Sequence, residues 1–432
     1  MFEVRQKPEM VERALLVRLY FDKREEDESA SLLIELGELV STLGIEIEES
    51  LLVKSREMHK KFFCGTGKAQ EIVDLAKAHD CDVIVFDNSL APSQQREWES
   101  LSDLCVIDRE EVILDIFAKR ARTREARLQV ELARMQYALP RLARMWGHLD
   151  REGGGGGSSG GGSAERGMGE KQIEIDRRLA HLSIDRCKRE LEVVRKQRKT
   201  QRKGREKHDT PHVSIVGYTN AGKSTLLNQL SGSDVMAKNM LFATLDTTTR
   251  RIDLPDGQPL LVTDTVGFVR NLPHRLVEAF KSTLEEAVLS DFLIHVLDAT
   301  APEIEKFQTT TLGVLEELGA VDKPIITILN KMDAVEDPEQ LALLDRVFPE
   351  AIRASSLTGD GVDEILRACT QMLASRVSRL KYRIPQKRGD LLNLLHRDAK
   401  ILSTEYESND ILIRAVVPAD VAGRLEEYII SE

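Results

Sequence analysis

One octapeptide constrains the fold more than any other feature of this sequence. The pattern GxxxxGK[ST] is matched by Gly217-Tyr218-Thr219-Asn220-Ala221-Gly222-Lys223-Ser224, between an apolar strand pattern (VSIVG) and a helix start (STLLNQL) that includes Thr225. The backbone N–H groups of such a loop surround phosphate, while the lysine adds positive charge and the serine hydroxyl binds magnesium. A chance glycine turn is the alternative, and the flanking strand and helix argue against it. The pattern predicts a doubly wound α/β domain that binds a magnesium nucleotide.

Three further motifs follow the phosphate loop, each beyond an apolar strand or helix. They are Asp264-Thr265-Val266-Gly267, Asn330-Lys331-Met332-Asp333 and Ser355-Ser356-Leu357, with Ser356 standing where alanine is usual. We expect Asp264 to hold a magnesium-bound water and the Gly267 N–H to meet the γ-phosphate. The Asp333 carboxylate can accept hydrogen bonds from N1–H and the N2 amino group of guanine, which adenine lacks. The motifs therefore predict GTP rather than ATP.

A threonine-rich loop between the first two motifs is the candidate sensor of the γ-phosphate. Within Phe242-Ala243-Thr244, Thr244 is predicted to give its hydroxyl to magnesium together with Ser224 and Asp264, and Thr248 is the second choice. An ordinary turn rich in serine and threonine is the alternative. Because such a contact lasts only while the triphosphate is intact, hydrolysis would release the loop. The predicted catalytic residues are Lys223, Thr244 and Gly267.

Two residues bear on the rate of hydrolysis. Phe268 follows Gly267 where many GTPases have a glutamine that orients the attacking water, and a phenyl ring cannot make that hydrogen bond. The sequence therefore predicts slow intrinsic hydrolysis and dependence on an activating partner. Asn220 is similar to the loop asparagine of potassium-stimulated GTPases, which implies a K⁺ ion beside the phosphates.

The alternation of strand and helix patterns predicts a multidomain α/β protein. We expect an N-terminal parallel α/β domain (1–115), a long basic helical hairpin (116–207) with a Gly-rich loop at about 151–169, a P-loop GTPase domain (208–379) and a small C-terminal α+β domain (380–432). Within the hairpin, the periodicity from Ile116 to Trp146 predicts a single long helix. Its loop, Gly153 to Ser163, contains only glycine and serine.

Charge is distributed unevenly along the chain. The chain has a net charge of −11, but the segment from Phe117 to Lys207 holds 24 Lys and Arg against 12 Asp and Glu. A basic segment on an acidic protein is what a local RNA-binding arm needs, because phosphate attraction dominates such binding. A solvated helical hairpin whose charges only keep it soluble is the alternative.

Several stretches resemble the HflX family of ribosome-associated GTPases over nearly the whole chain. The resemblance rests on KFFCGTGK, FDNSLAP, VIDR and ILDIFAKRA in the N-terminal part, and on GYTNAGKSTL, LFATLDTTTRRI and DTVGFVRNLPH in the GTPase domain. It implies a partner, the large ribosomal subunit and its rRNA, and a role in separating stalled or idle ribosomes into subunits. The loop segment Arg166 to Arg178 departs from the family's RGPGETQLE at Met168, Lys171 and Ile173.

Two other functions remain open at this stage, and the bulk composition adds expectations about location. The alternatives are a ribosome-assembly or RNA-binding GTPase that does not split ribosomes, and an ATP-driven RNA remodeller, against which Asp333 argues. The chain lacks a signal peptide pattern and any long apolar run, and its five cysteines have no CxxC spacing. We therefore expect a cytoplasmic protein that is monomeric off the ribosome, with no DNA partner and no stable membrane insertion.

Overall fold

The computed structural model describes residues 11–144, 164–206, 210–232, 241–242, 244–273, 276, 284, 286–320, 322–374, 377–407 and 409–430. The predicted loop from Gly153 to Ser163 and the predicted nucleotide contact Ala243 lie outside these residues. Contacts between residues divide the chain into two compact units. Unit 1 comprises residues 1–201, 239–246 and 270–282, and unit 2 comprises residues 202–238, 247–269 and 283–432.

Unit 1 contains a parallel four-stranded sheet in the order β2-β1-β3-β4. Its strands are β1 (Arg13–Tyr20), β2 (Glu46–Lys54), β3 (Val83–Phe86) and β4 (Cys105–Asp108). Its helices are α1 (Glu26–Thr42), α2 (Thr66–Ala78), α3 (Pro92–Ser102) and α4 (Arg109–Arg120). Every residue of β3 is buried, as expected for a central strand covered on both faces. The predicted N-terminal parallel α/β fold is confirmed.

Two helices of unit 1 form what we call the helical arm: α5 (Arg124–Ala138), followed by a short 3₁₀ segment (Leu139–Arg144), and α6 (Ala164–Glu206). They pack antiparallel, since Arg124 pairs with Glu190 at 3.1 Å and Glu131 lies beside Cys187. Their contact is an apolar seam made by Leu128, Leu132, Ile184, Cys187 and Leu191.

The single long helix predicted from Ile116 to Trp146 is wrong. Helix α4 ends at Arg120, and α5 begins after Thr123, whose side chain accepts a hydrogen bond from the Ala126 N–H. A threonine cap supplies a partner for an N–H group that the first helical turn cannot satisfy. The apolar periodicity continues through the break, which is why the sequence pattern alone did not reveal it.

The GTPase domain of unit 2 has a six-stranded sheet in the order β10-β9-β8-β5-β7-β6, parallel except for β6. Its strands are β5 (His212–Gly217), β6 (Thr248–Asp253), β7 (Pro259–Asp264), β8 (Phe292–Asp298), β9 (Ile325–Asn330) and β10 (Ile352–Arg353). Its helices include α7 (Lys223–Ser231), α8 (Ile304–Glu317), α9 (Pro338–Val347) and α10 (Val362–Met372). The carboxyl ends of β5, β7, β9 and β10 carry the predicted motifs, so the sheet brings them to one edge.

The C-terminal part of unit 2 is an antiparallel sheet in the order β12-β13-β11-β14. It contains β11 (Val377–Pro385), α11 (Gly389–Asp398), β12 (Lys400–Glu407), β13 (Asp410–Pro418), α12 (Ala419–Arg424) and β14 (Ile429–Ile430). In this part the sequence predicts a helix at LLNLLHRDA, strands at ILSTEYES and ILIRAVVP, and a final helix, but it does not predict β11 or β14. The α/β multidomain fold class is confirmed. Among the described residues, no helix combines the length and hydropathy needed to cross a membrane.

Candidate nucleotide-binding site

The backbone of the phosphate loop requires glycine at two positions. A Cβ on Gly217 would lie 2.3 Å from the Val296 carbonyl oxygen, and one on Gly222 would lie 2.1 Å from Nδ2 of Asn330. Both glycines have positive φ, at 150° and 93°, and Asn220 adopts the left-handed region at 61°. These conformations place the turn against strand β8 and against Asn330, and helix α7 begins directly after it at Lys223.

Lys223 and Ser224 lie at the start of α7 with different partners. The Lys223 side chain is buried, and its Nζ donates to the Tyr218 carbonyl oxygen at 2.7 Å. Burial lowers the pKa of Lys223 to about 8, and the charge of Asp264 acts in the opposite direction. The Ser224 hydroxyl donates to Oδ2 of Asp264 at 2.6 Å. Two of the three predicted magnesium ligands, Ser224 and Asp264, are therefore in contact.

The motif around Gly267 is joined to the phosphate loop through the backbone. The Thr219 N–H donates to the Phe268 carbonyl oxygen at 2.8 Å, and the Phe268 N–H donates to the Gly217 carbonyl oxygen at 3.1 Å. A Cβ on Gly267 would lie 2.8 Å from both Lys223 Nζ and Thr219 Cα. Gly267 therefore lines the same space as the lysine ammonium group. The Phe268 side chain is 1% exposed, so it belongs to the core.

The residues present fit a magnesium nucleotide. The buried Thr219 hydroxyl has no hydrogen-bond partner within the described part of the chain, which suits a group that would face a bound phosphate. The space beside Gly267 has no room for a Cβ, and Ser224 and Asp264 present adjacent oxygen ligands of the kind that Mg²⁺ prefers. Ser224 and Asp264 would hold the ion, which would supply charge neutralisation for the phosphates.

Asn330 joins the phosphate loop to the loop that contains Ser356. Its Nδ2 donates to the Ala221 carbonyl oxygen at 2.7 Å, and its Oδ1 accepts from the Ser356 N–H and hydroxyl at 2.8 Å each. Asn330 is 1% exposed and Ser356 is buried beside it. The serine that replaces the usual alanine thus adds one hydrogen bond to this junction.

The remaining residues of the Asn330 motif face outward or support its turn. Lys331 has a φ of 64°, and its Nζ pairs with Oδ2 of Asp298 at 2.6 Å. The Met332 N–H donates to the Ala354 carbonyl oxygen at 3.2 Å, which ties the turn to the start of the Ser355 loop. Asp333 is exposed, as is Leu357 at 79%, whereas Ser355 is buried. An exposed Asp333 carboxylate is open to an incoming base.

Three supporting residues were not singled out from the sequence. Asp298, the partner of Lys331, ends strand β8. Its position as a polar residue at the carboxyl end of a parallel strand could have indicated it. Phe307 stacks on Tyr218 with ring centroids 4.1 Å apart, which no local pattern could indicate. His295 is buried in β8, and burial together with the charge of Lys223 lowers its pKa to about 4. It is therefore neutral at pH 7.

The two units divide the predicted site residues between them. Gly217 to Thr225, Asp264 to Gly267, Asn330 to Asp333 and Ser355 to Leu357 belong to unit 2, where the contacts above join them. Phe242 and Thr244 belong to unit 1, where Phe242 packs on Phe117. The role of Thr244 as a magnesium ligand stays a prediction.

Comparisons with known proteins identify the family of the chain. Three family models match the chain: a GTP-binding GTPase N-terminal region over residues 30–118, a GTP-binding GTPase middle region over 120–205 and a 50S ribosome-binding GTPase over 212–331. A GTPase HflX from Akkermansia muciniphila is 60% identical over 434 residues, which cover 99% of both chains. The chain belongs to the HflX GTPase family. It is a GTP-hydrolysing enzyme that binds guanine nucleotides.

One further HflX protein and one solved structure are also similar to the chain. The GTPase HflX of Escherichia coli K12 is 43% identical over 383 residues, covering 88% of this chain and 87% of that protein. A crystal structure of a GTP-binding protein from Sulfolobus solfataricus in complex with GDP aligns over 84% of this chain and 99% of that chain, with 24% identity and a TM-score of 0.43. Full-length matches to HflX proteins confirm the resemblance that the sequence motifs indicated.

Proposed function

We propose that this HflX-family GTPase is a switch that binds the large ribosomal subunit through its helical arm and separates stalled or idle ribosomes into subunits. The observation that carries the proposal is the presence of a basic helical arm and a guanine nucleotide site in one chain. The family model that matches residues 212–331 describes a 50S ribosome-binding GTPase, which supports the choice of partner. The protein would act in the cytoplasm, as a monomer when off the ribosome.

The arm exposes cations along α6. Between residues 174 and 197 these are Arg177, Arg178, Arg186, Lys188, Arg189, Arg195 and Lys196. Two of them are neutralised within the helix, because Arg186 pairs with Glu190 at 2.9 Å and Lys196 with Glu192 at 3.6 Å. The apolar seam with α5 presents the others on a stiff support, which suits repeated contacts with an RNA phosphate backbone.

The proposed nucleotide cycle uses the phosphate loop, Gly267 and Thr244. Backbone N–H groups of the phosphate loop and the charge of Lys223 hold the phosphates, and Gly267 contributes its N–H to the γ-phosphate. Thr244 senses the intact triphosphate. Water attacks the γ-phosphorus, and GDP and phosphate are released. With Phe268 buried in the core, no side chain at that position orients the water, so a partner surface has to supply or position the missing group.

Sedimentation of ribosomes tests this function. Intact 70S ribosomes are mixed with the protein and either GDP or a non-hydrolysable GTP analogue, and purified subunits are pelleted with it in parallel. We expect the analogue to convert 70S peaks into subunit peaks and the protein to pellet with the large subunit. Binding to the large subunit with unchanged 70S peaks would favour a ribosome-assembly or RNA-binding GTPase that does not split ribosomes.

Charge reversal of the arm tests the electrostatic part. Arg177→Glu with Arg178→Glu should weaken binding to the large subunit and lower the slope of log affinity against log salt by about 0.7–0.9 for each phosphate that the arm no longer neutralises. The measurement is pelleting at several salt concentrations. Lys306→Glu is the control, because Lys306 is an exposed cation of α8 that pairs with Glu303 at 2.5 Å. An unchanged slope in the arm variant would contradict the role of these arginines.

Potassium dependence tests the proposed role of Asn220. We propose that Asn220 helps to hold a K⁺ ion beside the phosphates, supported by its left-handed backbone within the phosphate loop. Turnover in potassium should then exceed turnover in sodium, and Asn220→Gly, which suits the same φ, should remove the difference while keeping GDP affinity. Equal turnover of the unaltered protein in the two salts would exclude the ion.

A further inference from the structure

Phe242, Asp246 and Arg270, from two segments in the middle of the GTPase sequence, contact the N-terminal part of the chain. Residues 239–246 and 270–282 cluster in unit 1, although the residues on either side of each belong to unit 2. Asp246 lies two residues after Thr244, the proposed sensor of the γ-phosphate. Arg270 lies three residues after Gly267, which is proposed to meet that same phosphate. Asp246 and Arg270, which follow the two proposed sensors closely in the chain, therefore both belong to unit 1.

Asp246 binds the start of helix α5. Its Oδ2 accepts the N–H groups of Arg122 and Thr123 at 2.9 and 3.2 Å, and the Thr123 hydroxyl donates to Oδ1. Thr123 is also the N-cap of α5, because its Oγ1 accepts the Ala126 N–H at 3.2 Å. A carboxylate at a helix N-terminus gains from the helix dipole as well as from these hydrogen bonds. Asp246 thus completes the cap of a helix of the arm.

Phe242 fixes the same segment on its other side. Its ring packs edge to face on Phe117 of α4, with centroids 4.7 Å apart and an interplanar angle of 80°. Both rings are almost fully buried. Phe242 has a φ of 52°, a conformation that costs energy for a bulky side chain and persists only where the surroundings hold it. Residues on both sides of Thr244 therefore contact unit 1.

Arg270 enters a buried cluster of charges. Its Nε donates to Glu35 Oε2 of α1 at 2.9 Å, and its Nη2 donates to the Ser31 hydroxyl at 2.9 Å. Arg109, from the start of α4, donates to the Arg270 carbonyl oxygen at 3.1 Å and also binds Glu35. Arg109 and Arg18 both bind Asp87, at the end of β3. Arg270 is 7% exposed and Glu35 is 5% exposed.

Apolar contacts could hold these segments as tightly as charges do. Burying ions costs desolvation energy that a well-packed hydrophobic contact of similar size avoids, so charged anchors are poor devices for stability alone. Hydrogen bonds differ from apolar contacts in depending steeply on direction and distance, so a small displacement can break them. If Asp246 moves with Thr244, its hydrogen bonds at the start of α5 can break. If Arg270 moves with Gly267, its hydrogen bonds to Glu35 and Ser31 of α1 can break.

We propose that Asp246 and Arg270 are positioning residues through which the bound nucleotide acts on the N-terminal domain and its arm. This inference rests on the proposed function of Thr244 and Gly267 as sensors of the γ-phosphate. Release of Thr244 pulls on Asp246, which uncaps α5 and loosens the helix whose apolar seam supports α6. Displacement at Gly267 shifts Arg270 and exposes Glu35 of α1. The coupling is reciprocal. A partner that binds the arm changes the affinity for the nucleotide by the same factor by which the nucleotide changes the affinity for that partner.

Hydrogen exchange of the full chain tests the coupling without ribosomes. Amides 125–128 of α5 are compared in GDP and in a non-hydrolysable GTP analogue. We expect their protection to differ by about tenfold between the two states, within the usual range of allosteric coupling. In Asp246→Ala this difference should disappear while both nucleotides still bind. Asp253→Ala, at an exposed acidic residue that lies 3.8 Å from Arg251, is the control and should keep the difference.

A second pair of variants covers the case in which Asp246→Ala does not fold. Thr123→Val keeps the shape of the side chain and removes both hydroxyl hydrogen bonds, whereas Thr123→Ser keeps the hydroxyl. The difference at 125–128 should vanish in the first and persist in the second. A merely structural cap would lower protection equally in both nucleotides, so only disappearance of the difference supports the proposal. The proposal is overturned if the unaltered protein shows no difference, or if Asp246→Ala or Thr123→Val retains it.

Arg270 is tested on α1. Arg270→Met removes the guanidinium from Glu35, and the nucleotide-dependent difference at amides 33–37 should disappear, whereas Lys306→Met should retain it. Retention in Arg270→Met overturns the role of Arg270. The outcome is separable from that of the ribosome experiment, because exchange is measured with the protein alone. A protein that shows the coupling yet binds no ribosomal subunit would contradict the proposed function and leave the coupling in place.

Discussion

Replacing Asp333 by asparagine is expected to change the nucleotide preference from guanine to xanthine. The carboxylate is exposed at the turn after β9, where it can accept both N1–H and the N2 amino group of guanine. An asparagine amide keeps an acceptor for N1–H and presents an N–H group instead of the second acceptor. Xanthine carries a carbonyl oxygen where guanine has its amino group, so its hydrogen-bonding pattern fits the variant.

The expected effect of Asp333→Asn is large because both hydrogen bonds to guanine involve the charge of the carboxylate. Loss of the bond to the N2 amino group costs about 1.5–3 kcal/mol and the bond to N1–H becomes a weaker neutral one, so GTP affinity should fall by about 10²- to 10³-fold. Calorimetric titration with GTP, XTP and ATP in the presence of magnesium measures the change. Glu336→Gln is the matched control, since Glu336 is an exposed acid in the same loop, and its GTP affinity should stay within about twofold. An equal decrease in both variants would mean that Asp333 does not select the base.

The predictions from sequence succeeded where one chain segment carries the whole signal. The phosphate loop, Asp264 and Asn330 each follow an apolar strand, and the parallel order of those strands brings them to one edge of the sheet. The alternation of strand and helix patterns likewise indicated the parallel sheet of the N-terminal part. In each case a local pattern and a general rule of sheet topology were sufficient.

The sequence failed where the deciding contact joins distant segments. Thr123 breaks the predicted helix between α4 and α5, yet the partner of that cap is Asp246, more than a hundred residues away. The sequence around Glu35 does not distinguish it from other acidic residues of a helix, because its partners Arg109 and Arg270 are distant in the chain. These contacts are consequences of the fold rather than of local propensity.

Asn330 was predicted as a nucleotide contact, and its hydrogen bonds within the protein indicate a structural role as well. It joins the phosphate loop at Ala221 to the Ser356 loop, with its side chain almost fully buried. Asn330→Ala would leave the Ala221 carbonyl oxygen and the Ser356 N–H without this partner inside the protein. A buried polar group that loses its partner costs about 1–3 kcal/mol, so the variant should lose about 2–6 kcal/mol of stability.

The same variant should weaken GTP and GDP alike, by about 10²-fold or more, because both loops lose their fixed relation and neither contact involves the γ-phosphate. Calorimetry with each nucleotide and urea unfolding of the protein measure the two effects. Ser356→Ala is the matched control: it removes the hydroxyl and keeps the N–H bond, so its cost should be only about 0.5–1.5 kcal/mol. If Asn330→Ala bound both nucleotides within about threefold of the unaltered protein, the junction would be dispensable. If it weakened GTP alone, the asparagine would act on the γ-phosphate side instead of holding the two loops together.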